Sequence, residues 1–143
     1  MEDVQNQRDE RQIPIDQVGI SDLQYPIIVR DRAREQQHTV ARWTMAVNLP
    51  HHCKGTHMSR FIEVLQEYRG EVTLETLPGI LWTLKARLAA DSARVEGTFP
   101  YFLARVAPVS GAQALLDYEC SFVGEVNGTQ DDFMLRVRVP VTS

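Results

Sequence analysis

The sequence predicts an α+β fold, in which an antiparallel sheet carries two helices packed on one face. Two observations lead there. Strand-like segments open and close the chain while two helical segments lie between them, giving the order ββααβββ. The strands are mostly linked as hairpins, with no βαβ repeat, so helices on a single face of an antiparallel sheet are the economical arrangement.

Each element rests on its own pattern. Residues 1–12, MEDVQNQRDERQ, are polar and charged with one valine, and read as a flexible N-terminal arm ahead of a domain over 13–143. IPIDQVGISDLQYPIIV has spaced, β-branched apolar residues, which predicts an extended lead-in and a first strand over residues 25–29. RDRAREQQH reads as a solvated connection. In TVARWTMAVNL, Ala41, Trp43, Met45, Val47 and Leu49 alternate with Arg42, Thr44 and Asn48, the signature of a half-buried strand ended by Pro50.

A helix is expected from Ser59 as N-cap, because Phe61, Val64, Leu65 and Tyr68 repeat at i, i+3, i+4, i+7 and Gly70 can stop it. A second helix should start near Thr76, with Pro78 in its first turn and Leu77, Ile80, Leu81, Leu84 and Leu88 as its apolar stripe. FPYFLARVAPV is apolar on both faces and predicts a buried or central strand. LLDYECSFVGEV sets Leu116, Tyr118, Cys120 and Phe122 against Asp117, Glu119 and Ser121. Asn127-Gly128 signals a tight turn before DFMLRVRVPV, where Phe133, Leu135, Val137, Val139 and Val141 oppose Arg136 and Arg138. A strand so strongly patterned and so close to Ser143 is expected to pair with, or continue into, more protein.

With 143 residues, 43% of them apolar, the chain can bury a real core as one domain. Its formal net charge of −4 argues against nucleic acid or an anionic membrane as a general partner, though local cations can still hold a small anion. The start has no apolar signal-peptide core, and no run is long enough to span a bilayer. Two cysteines make no disulfide framework, so the expected compartment is the cytoplasm, with both thiols reduced.

Chemistry concentrates in HHCKGTHMSRF, residues 51–61. His51, Cys53 and His57 could approach a metal, but they lack the paired short spacings of structural zinc sites, and a solvated loop is the competing reading. Lys54-Gly55-Thr56 leads into a helix N-terminus bearing Ser59 and Arg60, where free N–H groups and the helix dipole favour an anion. It is not a Walker A loop. The alternative is that Ser59 only caps and Arg60 only faces water. Cys53 beside Lys54 could be a nucleophile, yet no orienting acid is identifiable. Cys120 belongs to a core face, Glu63 and Glu67 to a solvated helix face. Arg136 and Arg138 form either a basic strip or a solvent-exposed edge.

CKGTHMSRFIEVL, preceded by TVARWTMAVNLP, resembles the signature of the type IB GTP cyclohydrolases, the second folate-pathway family of that activity. The likeness extends over DVQ…D…R…I…VG…YPI at the start and VRVPVTS at the end. The resemblance implies a tunnelling-fold module of ββααββ type, placed N-terminally in a longer two-module chain that assembles with other copies of itself. It implies conversion of GTP and water to 7,8-dihydroneopterin triphosphate and formate, using zinc or another divalent transition metal. The resemblance implies a metal-ligand cysteine within a Cys-Pro-Cys type segment, with His and Glu ligands further on, and Cys53 and Cys120 do not match that segment. Catalytic and metal residues are therefore expected outside this chain, and no cofactor within it. Lys54, His57, Ser59 and Arg60 match the motif and are the expected substrate contacts, on the triphosphate side. The competing readings are a non-catalytic, barrel-forming oligomerisation module and a free-standing nucleotide-binding domain.

Overall fold

Strands pair in chain order. The computed structural model describes residues 15–30, 35–50 and 57–139. β1 (Ile15–Arg30) and β2 (Gln36–Pro50) lead into α1 (His57–Glu67) and α2 (Leu77–Leu88), followed by β3 (Ser92–Val106), β4 (Gln113–Val126) and β5 (Asp131–Arg138). The five strands form one sheet in the order β1-β2-β3-β4-β5, each pairing antiparallel with its neighbour. The expected fold class is therefore observed.

β1 is far longer than the predicted residues 25–29, and the reason is a bulge. Ile20 pairs with Met45 but Leu23 with Trp43, so β1 spends three residues where β2 spends two. Asp22 absorbs the extra residue with φ 61°. The bulge shifts which residues face the core, and a period-2 reading fails across it. β2 likewise begins at Gln36, within the stretch expected to be a connection. The N-terminal arm lies outside the described residues.

α1 begins at His57, two residues before the predicted cap. Ser59 is therefore inside the helix rather than at its N-cap. Phe61, Val64 and Leu65 are fully buried, and the Phe61 and Trp43 rings meet in a T-shaped arrangement at a centroid distance of 5.3 Å. Arg69 (φ 57°) and Gly70 (φ 74°) end the helix. The Gly70 N–H donates to the Leu65 carbonyl and the Arg69 N–H to that of Gln66. This is a Schellman stop with Arg69, not the glycine, in its first left-handed position. α2 buries the five predicted residues, Leu77, Ile80, Leu81, Leu84 and Leu88. The Thr76 side chain does not cap it. Its hydroxyl accepts from the Thr73 N–H and donates to the Glu71 carbonyl, pinning the turn before the helix.

β3 starts at Ser92, ahead of the predicted stretch, because Arg94 and Glu96 sit on the helix-free face while Ala93, Val95 and Gly97 face the helices. Gly97 is required: a Cβ there would lie 2.6 Å from the Trp43 ring. The buried or central strand expected over residues 99–109 is central, the third of five, but it is not buried along its whole length. Phe99 is buried, but Phe102, Leu103, Val106 and Val109 are exposed. The helices cover only the inner part of the sheet, and the outer halves of β3 and β4 project beyond them as an arm.

The arm begins where β2 and β3 part. Their ladder ends at Arg42 opposite Thr98. Past it, Thr39 Oγ1 donates to the Pro100 carbonyl (2.8 Å). Gln37 donates to the Phe102 carbonyl (3.0 Å) and accepts from the Phe102 N–H (2.7 Å). Side chains thus replace the missing backbone bonds. At the other end, Asn127 Oδ1 gathers the N–H groups of Thr129 and Gln130, and Gly128 takes φ 91°. That is the tight turn the Asn-Gly pair predicts.

Candidate functional site

Of the four expected substrate contacts, Lys54 lies outside the described residues, as do His51, His52, Cys53, Gly55 and Thr56. His57 opens α1, and Ser59 and Arg60 follow on its exposed first turn. No acidic residue occupies that turn, so nothing on it opposes the positive end of the helix dipole. Arg60 is half-exposed and reaches Glu63 one turn on, Nη1 to Oε1 3.3 Å. A solvated pair of this kind is weak and leaves the guanidinium available to a stronger anion.

Glu63 and Glu67 are solvent-facing, as expected. Glu67 also ties the two helices together, its Oε2 lying 2.6 Å from Arg87 Nη2. Cys120 is buried in the core; burial first, then the Glu119 charge, push its thiol pKa up, the opposite of what a nucleophile or ligand needs. Among the described residues no three His, Cys, Asp or Glu side chains come together to hold a metal ion. The described residues do not fit a metal site.

A depression lined by described residues lies elsewhere, on the helix-free face of the sheet, with a volume of about 580 Å³. The strand register builds it. Arg42 faces Thr98 across β2 and β3, Pro100 faces Glu119 across β3 and β4, and Glu119 faces Arg138 across β4 and β5. Asp117 completes the acidic side. Arg138 Nη1 lies 3.4 Å from Glu119 Oε1, and Arg136 pairs likewise with Glu96 at 3.7 Å. Guanidinium and carboxylate groups beside the apolar Val40 and Pro100 suit a planar polar molecule with both donors and acceptors. The two arginines read as a possible basic strip thus sit in a mixed-charge row. In the sequence, Arg42, Asp117 and Glu119 stand only as the polar side of their strands. Each sits on that side by alternation, but their convergence depends on register, which one sequence does not display. The depression and the first turn of α1 lie on opposite faces of the sheet, so the described residues form two separate candidate surfaces.

All 143 residues match the family model described as type I GTP cyclohydrolase folE2. The chain belongs to this family. Similar FolE2-family proteins include "GTP cyclohydrolase FolE2" of Geobacter sulfurreducens, 53% identical over 143 residues, which are all of this chain and 55% of the relative. The proteins of the same name from Syntrophotalea carbinolica and Halorhodospira halophila are 50% and 49% identical, again over the whole chain, which spans 53% and 55% of their lengths. The chain thus spans about half the length of the FolE2 relatives it matches. No helix among its described residues is long and apolar enough to cross a membrane.

Proposed function

We propose that this chain is the N-terminal module of a metal-dependent, cytoplasmic GTP cyclohydrolase of the folate pathway. The full-length enzyme converts GTP and water to 7,8-dihydroneopterin triphosphate and formate, C8 of the purine leaving as the formate carbon. The observation that carries this reading is the family match over residues 1–143, which includes the KGTHMSRF segment. A divalent metal in such hydrolysis lowers the pKa of a bound water. Cys53 and Cys120 do not match the family's metal-ligand segment, so this reading assigns that group to the other half of the enzyme, and this chain alone should lack turnover. Its own contribution is the α1 entry: Lys54, His57, Ser59 and Arg60 at the edge of the GTP pocket, where a helix N-terminus and two cations face the triphosphate.

Two assays test this. Pterin fluorescence with GTP should show no product from residues 1–143 alone and turnover from the full-length chain. Arg60→Ala in the full-length enzyme should raise KM for GTP by about tenfold with kcat little changed, as expected for loss of one charge-assisted contact. An unchanged KM removes Arg60 from the pocket.

A second reading, a non-catalytic oligomerisation module that closes a barrel with other copies, is favoured by one observation. Leu135, Val137 and Val139 lie exposed along the last strand, with no further strand beside it among the described residues. A full-length protein that assembles but forms no pterin would select this reading.

A further inference from the structure

The two margins of the sheet are finished differently. β1 is met at Ile28 by Glu71 of the turn after α1, and it is bent by the bulge at Asp22. β5 has neither device. Its pairing with β4 is unbroken from Asp131 to Arg138, and among the described residues no strand lies beyond it. A regular, bare edge of this kind is a template for another strand.

Strand pairing fixes which groups that edge offers. The N–H and C=O of Phe102 both bond to Gln37 of β2, so those of Asp117 opposite it turn away from β3. Alternation along β4 then aims Glu119, Ser121, Val123 and Glu125 at β5, where they meet Arg138, Arg136, Met134 and Asp132. The residues between these, Phe133, Leu135 and Val137, turn their backbone groups outward. Their side chains lie on the helix side, with Leu135 42% and Val137 48% exposed.

We infer that a second copy of this chain occupies the edge, β5 pairing antiparallel with its own counterpart about a two-fold axis at Leu135. The inference rests on the assembly reading above and gives it a surface, a partner and a register. In that register the strand is complementary to itself. Leu135 meets Leu135 and Phe133 meets Val137 on the helix side, and Asp132 meets Arg138 on the other, once on each side of the axis. Within its own chain Asp132 faces Glu125, a like-charge pair that a second copy's guanidinium offsets. Neighbouring registers fare worse. An axis between two residues opposes outward groups with inward ones. An axis at Arg136 sets that arginine against itself. An axis at Met134 sets Val139 against Thr129, whose N–H already donates to Asn127. A two-fold perpendicular to the sheet also joins the two five-stranded sheets into one, with the helices of both copies on the same face.

The test is a series of single cysteines along β5 of the 143-residue chain, in a Cys53→Ser background, since Cys120 is buried. Only the residue on the axis faces its own counterpart, with Cα atoms about 5.5 Å apart, within disulfide range. Leu135→Cys should therefore form a disulfide-linked dimer at least tenfold faster than Met134→Cys, Arg136→Cys or Val137→Cys. A maximum at another position, or no linked dimer, overturns the inference. Charge gives a second readout by sedimentation equilibrium. Asp132→Lys sets a cation against Arg138 on both sides of the axis and should raise the dimer Kd at least tenfold. The same change relieves the repulsion from Glu125 within the chain, so a loss of folding is not the expected cause. An unchanged Kd overturns the inference. Should the full-length protein assemble while neither probe responds, the assembly reading survives and β5 is not its surface.

Discussion

The β3–β4 hairpin meets opposite environments at its two ends. At the inner end, Val95, Phe99, Cys120 and Phe122 are buried beneath the helices, with Phe99 and Phe122 stacked at 5.3 Å. At the outer end, Phe102, Leu103, Leu115 and Leu116 occupy the same two strands in the same alternation and remain exposed. Residue chemistry hardly differs; what lies above each half does. α2 packs on the inner parts of β3 and β4 through Leu81, whose side chain also lies against Gly124. Neither described helix covers the arm, which β2 reaches only through the Thr39 and Gln37 side chains. An apolar strand therefore signals that something covers it, and the cover need not be part of the same module.

The largest expected effect breaks the comparison directly. Phe122→Ala should destabilise the chain by about 3–5 kcal/mol, the usual cost of truncating a buried aromatic. Leu115→Ala should shift stability by less than about 0.5 kcal/mol, as for an exposed site. Urea titrations of both variants in residues 1–143 check this. Equal losses would mean that the arm is buried in solution and the contrast false. A smaller effect comes from filling space instead of emptying it. Gly97→Val places a branched side chain where even a Cβ would sit 2.6 Å from the Trp43 ring. Overpacking of this kind costs about 1–3 kcal/mol, and the lowered urea midpoint should come with altered tryptophan fluorescence.

Much of this was legible in the residues. The five-residue stripe of α2 emerged complete because Leu77, Ile80, Leu81, Leu84 and Leu88 follow one helical period without interruption. The alternation of β2 and β4 was equally plain, since each presents one face to the helices. Three features were hidden, each for a physical reason. The bulge at Asp22 inserts a residue and breaks the period. The inner half of β3 carries Arg94, Glu96 and Gly97, a composition unlike a strand until Trp43 is seen to need the glycine's space. The start of α1 at His57 escaped because Ser59 is a good capping residue, and propensity alone put the boundary there. As for the site, the motif marked Lys54, His57, Ser59 and Arg60 as one stretch, whereas the row formed by Arg42, Glu119 and Arg138 exists only through the register of four strands.

The opposite margin of the sheet supplies the smallest test and sharpens the contrast with the open arm. β1 is met on its outer side by the turn after α1. The Ile28 N–H donates to the Gly70 carbonyl and the Val72 N–H to the Ile28 carbonyl. Arg30 clasps Glu71 from the same side, Nε to Oε2 2.7 Å and Nη2 to Oε1 3.3 Å. The hydrogen bond from Arg30 holds the Glu71 carboxyl below its usual pKa, partly opposed by burial. A depressed carboxylate stabilises the fold above the unfolded-state pKa, about 4.3 for Glu, and loses that contribution as pH falls through the folded value. The raised Arg30 value matters only in strong alkali. Glu71→Gln should therefore lower the melting temperature slightly at pH 7, by a few degrees at most, and the gap from the unmodified chain should close as pH drops below about 4. A gap that persists at pH 3 would mean that Glu71 closes this margin through backbone and packing alone, and that charge plays no part in finishing the β1 side.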